Sequence, residues 1–272
     1  TTQDITVNIT NVNDVAPEFT SDATFSAAEN QTAIGTVTAT DTEGDDVTFT
    51  VSGSELEITT AGVLTFATAP DYETKTSYTA TVTASDGTNS TTQDITVNVT
   101  NVNDVAPEFT SDATFSAAEN QTAIGTVTAT DAEGDTVTFT VSGSELEITS
   151  AGVLTFASAP DYETDTSFAA TVTASDGTNS TTQDITVNVT NVNDNSPVIT
   201  SDATFTAAEN QTAIGTVIAT DADGDDITFT VSGSELEITS AGVLTFATAP
   251  DYETKTSYTA TVTASDGTNT VT

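Results

Sequence analysis

The sequence predicts an all-β protein made of tandem β-sandwiches, each with about seven strands. Residues 11–100 and 101–190 align without a gap and differ at only seven positions, and residues 191–272 continue the same 90-residue period. Within each period, apolar and polar residues alternate over short stretches, which is typical of antiparallel strands with one face in water. No stretch shows the 3.6-residue apolar period of a helix.

The length of the period indicates independent modules. Solenoid repeats of 20–50 residues cannot bury a core alone, whereas 90 residues can form a small domain. Residues 1–10 differ from 91–100 only at position 9. The predicted segments are therefore the last strand and linker of a preceding module (1–14), a first module (15–104), a second module (105–194) and a third module without its last strand (195–272).

The clearest strand patterns of the first module lie at residues 47–51, 80–84 and 95–99, where every second residue is apolar. Thr occupies many of the intervening positions, and its β-branched side chain favours strands. Gly-containing turn signals separate these stretches. The predicted core consists of Ile34, Val37, Val47, Phe49, Val51, Leu56, Ile58, Val63, Leu64, Phe66, Tyr78, Val82, Ile95, Val97 and Val99.

The composition excludes several classes of function. The chain carries 41 acidic residues, two basic residues (Lys75 and Lys255) and a formal net charge of −39, with no His or Cys. Without His and Cys there is no Ser-His-Asp triad, Cys nucleophile or ordinary zinc site. A strongly acidic surface repels nucleic acid and anionic membranes, so we expect neither nucleic-acid binding nor membrane insertion.

Many of the acidic residues recur in short motifs at fixed places in the period. In the first period these motifs are NVND (11–14), AEN (28–30), TDTEGD (40–45), PDYE (70–73) and ASDG (84–87). Carboxylate and amide oxygens without nitrogen or sulfur ligands suit a hard cation, and calcium first among these.

With these five motifs in this order, the sequence resembles tandem cadherin repeats, in particular the bacterial cadherin-like modules of very large surface adhesins. The resemblance covers all three modules. It implies Ig-like Greek-key sandwiches arranged as an extended rod, with several calcium ions clustered at each junction between modules.

The resemblance also implies the calcium ligands. Those of the first junction would be Glu29, Asp71, Glu73, Asn101, Asn103, Asp104, Asp131, Glu133 and Asp176. Those of the second would be Glu119, Asp161, Glu163, Asn191, Asn193, Asp194, Asn195, Asp221, Asp223 and Asp266. Near the N-terminus, the candidates are Asn13, Asp14, Asp41, Glu43 and Asp86. The motif residues Glu209, Asp251 and Glu253 would await a linker that follows the third module.

Among the departures from the family pattern, two change the length or the charge of a motif residue. The second acidic residue of the DxD motif is Glu43 in the first module and Glu133 in the second, and only Asp223 keeps the pattern. The first linker position is Asn at 11, 101 and 191, which removes one negative charge from each linker.

The leading functional prediction is a calcium-rigidified extender segment of an extracellular adhesin or fibre on a bacterial surface, and not an enzyme. One alternative is a subunit that polymerises head to tail by donating residues 1–10 to the incomplete third module of the next chain. Another is a ligand-binding adhesion module. The expected partners are adjacent repeats and identical chains end to end, and the adhesive target stays open.

Overall fold

The computed structural model describes residues 1–272, and all of its regular structure is β-strand. It offers no helix with the length and apolarity needed to cross a membrane. The chain forms two compact units. The first unit contains Thr1–Glu108, Thr130–Val137 and Ser175–Ser180, and the second contains Phe109–Ala129, Thr138–Ala174 and Thr181–Thr272.

The first unit includes acidic motifs of the second repeat. Two short segments of the second repeat, Thr130–Val137 and Ser175–Ser180, belong to the first unit. These segments carry the motif residues Asp131, Glu133 and Asp176. The module limits at 15–104, 105–194 and 195–272 stay a prediction.

The first repeat contains nine strand segments. They are β1 (Glu18–Phe19), β2 (Thr24–Ala28), β3 (Ala33–Thr36), β4 (Ala39–Thr40), β5 (Thr48–Val51), β6 (Leu56–Ile58), β7 (Val63–Phe66), β8 (Ser77–Ser85) and β9 (Ser90–Thr100). Two sheets form the sandwich, with the strand orders β2-β9-β8-β5 and β3-β7-β6, and β1 pairs with β4. The nine segments correspond to the seven predicted strands if β1 with β2, and β3 with β4, each count as one interrupted strand.

The other repeats follow the same pattern. The second repeat contains β10 (Glu108–Phe109), β11 (Thr114–Ala118), β12 (Ala123–Thr126), β13 (Ala129–Thr130), β14 (Thr138–Val141), β15 (Leu146–Ile148), β16 (Val153–Phe156), β17 (Ser167–Ser175) and β18 (Ser180–Thr190). The third contains β19 (Val198–Ile199), β20 (Ala213–Thr216), β21 (Ala219–Thr220), β22 (Thr228–Val231), β23 (Leu236–Ile238), β24 (Val243–Phe246), β25 (Val262–Ser265) and β26 (Thr270–Val271). The third repeat has no counterpart of β2.

Strand β9 occupies the interior of its sheet and organises the first repeat. It pairs antiparallel with β8 from Ser77↔Asn98 to Ser85↔Ser90. On its other side it pairs parallel with β2, from Thr24↔Thr96 to Ala28↔Thr100. The parallel pairing brings the end of β2 beside the end of β9, so that the backbone N–H of Glu29 donates to the carbonyl of Thr100 at 3.2 Å.

Most of the predicted core is confirmed. Val37, Phe49, Leu56, Leu64, Phe66, Val82, Ile95, Val97 and Val99 are buried, and Ile34, Val47, Val51, Ile58 and Tyr78 are partly buried against them. The prediction for Val63 is wrong, because its side chain is 45% exposed. Strand β7 turns Leu64 and Phe66 inward, and the two-residue period of a strand then directs Val63 to solvent.

Residues 1–10 form no strand, although the sequence predicts one there. Their apolar side chains Ile5, Val7 and Ile9 are 81%, 80% and 94% exposed. A strand needs neighbours that satisfy its backbone hydrogen bonds, and no strand pairs with this segment.

Gly62 closes the turn between β6 and β7 in a way that excludes a side chain. It adopts φ = +87°, and its carbonyl accepts a hydrogen bond from the N–H of Val37 at 2.9 Å. A Cβ atom at this position would lie 2.2 Å from the carbonyl oxygen of Val37. Gly53 has a similar φ of +83°, but a Cβ there would meet no atom within 4 Å.

We therefore expect one set of Gly→Ala substitutions to be much more destabilising than its matched control. The test set replaces Gly62, Gly152 and Gly242, and the control set replaces Gly53, Gly143 and Gly233. Both sets carry the cost of positive φ, about 1–2 kcal/mol per site, but only the first adds a backbone clash. The difference should lower the unfolding temperature by more than about 5 °C in circular dichroism. Equal shifts in the two sets would contradict the assigned turn geometry.

Candidate metal centres

Glu29 anchors the first acidic cluster. It follows β2 directly, and only 3% of it is exposed. Its carboxylate accepts hydrogen bonds from the backbone N–H groups of Tyr72 and Val102, both at 2.7 Å. The side chain thus ties the PDYE loop to the linker that follows β9. Its counterpart Glu119 is equally buried and binds the N–H groups of Tyr162 and Val192 at 2.7 Å.

The first cluster joins two consecutive repeats within the first unit. Carboxylate oxygens of Glu29, Glu73, Asp104 and Glu133 all lie within 4.8 Å of one another. Glu133 comes from the second repeat, and it accepts a hydrogen bond from the N–H of Asp104 at 2.7 Å. Four predicted ligands from four separate motifs therefore meet at one place.

The second cluster repeats this arrangement within the second unit. Its members Glu119, Glu163, Asp194 and Asp223 also lie within 4.8 Å of one another. Asp223 accepts hydrogen bonds from the backbone N–H groups of Asp194 at 3.0 Å and Asn195 at 2.8 Å. The side-chain amide of Asn195 donates to Glu163 and to Asp223, at 3.1 and 3.0 Å.

The TDTEGD motif and its counterparts form smaller acidic groups. Asp41, Glu43 and Asp45 form one, and Asp131, Glu133 and Asp135 form another. In both groups the first Asp uses one oxygen to cap its own loop: Asp41 accepts from the N–H of Glu43 at 2.7 Å. The other oxygen, Oδ2, is buried and has no hydrogen-bond partner in Asp41, Asp131, Asp176 and Asp221.

The ASDG motif leads into the hairpin between β8 and β9, and this hairpin contacts the linker that precedes β1. Asp86 accepts hydrogen bonds from the N–H groups of Thr88 at 2.7 Å and Asn89 at 2.6 Å. The side-chain amide of Asn89 in turn donates to the side-chain oxygen of Asn13 at 2.7 Å. Asn179 with Asn103, and Asn269 with Asn193, repeat this contact at 2.6 and 2.7 Å.

The remaining predicted ligands lie at the edges of these clusters. Asp71 and Asp161 accept hydrogen bonds from Thr74 and Thr164. The side-chain amide of Asn191 donates to the carbonyl of Asp223 at 2.7 Å. Asn101 and Asp14 are exposed. Asp266 is placed like Asp86 and accepts from the N–H of Asn269 at 2.5 Å.

The third repeat holds an acidic group of its own. Glu209, Asp251 and Glu253 lie within 4.8 Å of one another, and all three are exposed. Glu209 accepts a hydrogen bond from the N–H of Tyr252 at 3.0 Å, as its counterparts in the other repeats do.

Two kinds of residue beside the predicted ligands are absent from the predicted ligand set. The structure brings Asp45 and its counterpart Asp135 into acidic groups with predicted ligands. The side-chain amide of Asn89 orients Asn13. The available signal was the recurrence of both residues at a fixed distance from a ligand motif in every period.

No basic side chain offsets these clusters. Lys75 pairs with Glu55 and Lys255 with Glu235, at 2.5 and 2.6 Å, and the two lysines also lie over the rings of Tyr78 and Tyr258. Loss of hydration raises the pKa of Glu73, and the charge of Glu29 raises it further. Loss of hydration likewise raises the pKa of Glu163 to about 6, with a contribution from the charge of Glu119.

These features fit a hard divalent cation. The donors are carboxylate, amide and backbone oxygens in irregular arrangement, which matches the six to eight oxygens that calcium accepts. The buried oxygens of Asp131 and Asp176 without hydrogen-bond partners are available as ligands. A cation would also relieve the crowding of carboxylates that raises the pKa values of Glu73 and Glu163.

The fold and these clusters define a protein of tandem Ig-like β-sandwiches with acidic sites at the repeat boundaries. The profile of the bacterial Ig domain family matches residues 193–272. Human protocadherin Fat 4 is 31% identical over 96% of the chain, and the chain spans about 6% of that relative's length. Similarity to solved structures gives separate evidence on the fold.

Two solved structures show the same fold. Mouse cadherin-23 EC22-24 superposes with a TM-score of 0.69 at 21% identity, covering 93% of this chain and 94% of that one. The protocadherin gammaB7 EC3-6 structure gives a TM-score of 0.71 at 22% identity, covering 94% of this chain and 75% of that one. The chain consists of tandem cadherin-like repeats.

The raised pKa of Glu163 predicts a pH dependence of the metal-free chain. Because folding raises this pKa from 4.5 to about 6, the folded state favours the protonated carboxyl. The stabilisation is fully present below the unfolded pKa of 4.5 and is lost as the pH rises through about 6.

The prediction is checked by thermal unfolding in chelator at pH values on either side of about 6. In Glu163→Gln this component of the pH dependence should disappear. Glu147→Gln, at an exposed position of β15, is the matched control and should retain it. If Glu163→Gln titrates like the parent chain, the assignment of the raised pKa is wrong.

Proposed function

We propose that this chain is a calcium-stabilised structural segment of an extracellular adhesin or fibre. The observation that carries the proposal is the pair of four-carboxylate clusters, each built from two consecutive repeats without a basic residue. An ion held by both repeats would fix the angle between them. Without the ion, the carboxylates would repel one another and the boundary would become flexible.

The proposed ligands of the first boundary divide into two groups. Glu29, Glu73, Asp104 and Glu133 would bind on the side of the first repeat, since their oxygens lie within 4.8 Å. Asp131 and Asp176, each with a buried oxygen free of hydrogen bonds, would bind on the other side together with Asn103. Because Glu133 also groups with Asp131 and Asp135, the oxygens of this boundary form two overlapping groups, which support more than one ion. The second boundary would use the corresponding residues.

An extracellular location agrees with this chemistry. Extracellular calcium modules typically bind with dissociation constants of about 10⁻⁴–10⁻³ M. The mixture of carboxylates and neutral amides such as Asn103 and Asn195 suits this weak range. The match of residues 193–272 to a bacterial Ig domain family supports a bacterial surface.

The near-identity of the repeats supports a spacer rather than a recognition site or an enzyme. Residues 11–100 and 101–190 differ at seven positions, and none of these differences falls on a predicted calcium ligand. A spacer gains length from each copy, whereas a recognition or catalytic site needs to occur only once. The proposed partners are adjacent repeats of the same chain and identical chains in end-to-end contact.

We expect calcium to stabilise the chain against thermal unfolding. Binding to the folded state alone contributes about 2.7 kcal/mol when the free ion is at 100 times its dissociation constant. The double variant Glu29→Gln with Glu119→Gln should lose most of this gain, because each change removes a charge from the centre of one cluster. Isothermal titration calorimetry and melting curves with calcium and with chelator measure both effects.

The matched control is Glu57→Gln with Glu147→Gln, which removes the same two charges from exposed strand positions outside the clusters. This control should retain the calcium response. Small-angle scattering with calcium and with chelator tests the mechanical part of the proposal: calcium should narrow the distribution of molecular dimensions. The proposed function would be contradicted if both double variants responded equally to calcium, or if the scattering were the same with calcium and with chelator.

A further inference from the structure

The third repeat differs from the other two at two neighbouring surface positions. Residues 191–272 differ from 101–182 at fifteen positions, whereas the first two repeats differ at seven. Among the fifteen, Val198 stands where the other repeats have Glu, and Ile218 stands where they have Thr. Both changes place an aliphatic side chain where the other repeats carry a polar one.

Val198, Ile218 and Val243 lie on neighbouring strands, on the outside of the sandwich. Val198 pairs with Thr220 across β19 and β21, and Val243 pairs with Thr216 across β24 and β20. Ile218 is two residues from each of these threonines, so it is the diagonal neighbour of both valines, at about 7–8 Å. The three side chains are 60%, 55% and 44% exposed, and we call them the apolar stripe.

This face of the sandwich is exposed in all three repeats. Val63 and Val153, the counterparts of Val243, are both 45% exposed. The position of Val198 is exposed in every repeat, whether Glu or Val occupies it. The stripe therefore results from the residues at positions 198 and 218, and not from a different packing of the third repeat.

The stability of the sandwich does not explain Ile218. In the first repeat, the hydroxyls of Thr20 and Thr38 share a hydrogen bond at 2.7 Å, and the second repeat has the same bond at 2.8 Å. Ile218 removes this bond, and Thr200 donates instead to the carbonyl of Ile218 at 3.4 Å. Thr and Ile are both β-branched, so the exchange does not raise strand propensity. A contiguous exposed apolar patch with a polar rim is typical of an interaction site.

The rim of the stripe is acidic. A depression of about 450 Å³ adjoins it, and its lining includes Ile218, Ile227 and the exposed Asp226. On the other side, the exposed Glu237 of β23 pairs with Thr245 of the strand that carries Val243. An apolar surface thus lies between carboxylates.

We propose that the apolar stripe docks a partner protein through a segment in which aliphatic side chains alternate with Lys or Arg. The aliphatic side chains of the segment would cover the stripe. A Lys or Arg would lay its methylene stem on Ile218 and Ile227 in the depression and present its charge to Asp226. This function goes beyond the structural role and does not depend on bound calcium, because the stripe itself is aliphatic.

Charge favours such a partner over a second copy of this chain. Each copy carries a net charge of −39, and the only lysine of the third repeat, Lys255, pairs with Glu235 at 2.6 Å. Two copies that met through the stripe would bring Asp226 and Glu237 of one against those of the other. The screening length of about 8 Å at physiological ionic strength leaves repulsion between groups in contact in force. A basic segment converts the same carboxylates into attractive contacts.

The proposal is tested with a short labelled peptide of alternating Leu and Lys, titrated into the whole chain in calcium and followed by fluorescence anisotropy. The parent chain should bind it, and a peptide of alternating Ser and Lys with the same charge should bind about tenfold more weakly or worse. Val198→Glu with Ile218→Thr restores the residues of the other repeats and should weaken binding of the Leu-Lys peptide about tenfold. Because this variant is more negative, purely electrostatic attraction would instead strengthen binding.

A second variant builds the stripe where it is absent. Glu18→Val with Thr38→Ile places it in the first repeat, which already has Val63 and Asp46 at the matching positions. This variant should bind two peptides per chain in calorimetry, where the parent binds one. Glu18→Val with Thr48→Ile is the matched control and should bind one, because Thr48 is exposed on β5 of the other sheet.

The proposal would be overturned by equal binding of the Leu-Lys peptide to the parent and to Val198→Glu with Ile218→Thr, or by a parent that does not bind it. One peptide per chain in the stripe-building variant would have the same meaning. In sedimentation velocity the parent should stay at 27.7 kDa. Growth of its mass with concentration that Val198→Glu with Ile218→Thr abolishes would identify a second copy as the occupant and contradict the proposed partner.

Two further readouts keep these results interpretable. The restored residues already occupy the same positions in the other repeats, and melting curves by circular dichroism check that each variant is folded. Peptide binding that fails while calcium still stabilises the chain would contradict this proposal alone. Peptide binding that persists in a chain without any calcium response would contradict only the proposed function.

Discussion

The structure depends on crowding carboxylates together without any basic residue among them. Glu29 and Glu119 show how the fold achieves this. Each is buried and held by two backbone N–H groups from separate loops, which stabilises its charge but also fixes the loops around it. The acidic side chains of those loops then face one another. Neither lysine offsets these carboxylates, because both are paired elsewhere.

The fold was largely predictable because strand alternation in this chain is strict. Residues 47–51, 80–84 and 95–99 alternate in the sequence and lie in β5, β8 and β9, apart from Val47, which precedes β5. Val63 was misassigned because Val63 and Leu64 are both apolar, so composition alone does not say which of them faces inward. The positive φ of Gly62 and the register of β7 with β3 decide this, and neither is visible as a sequence pattern.

The candidate site was predictable to the level of motifs but not to the level of individual contacts. The grouping of Glu29, Glu73, Asp104 and Glu133 agrees with the predicted ligands. Asp45 could not be distinguished from a solvated charge, since its neighbours Asp46 and Gly44 are typical of an exposed turn. Its contact with Asp41 arises from the way the loop folds back on itself. Asn89 acts by orienting Asn13, which is 76 residues away in sequence and becomes a neighbour only in the folded chain.

Comparison of the repeats separates what local sequence determines from what a distant strand determines. The motif AEN is the same at 28–30 and 208–210, yet Glu29 is buried and Glu209 is exposed. The difference is the segment that follows in space, since residues 100–102 cover Glu29 and contribute one of its two hydrogen bonds. The strand that closes the sandwich and the linker that completes the acidic cluster are one continuous piece of chain. Closure of the core and completion of the acidic cluster are therefore coupled in the first repeat, because strand β9 and the linker after it are continuous.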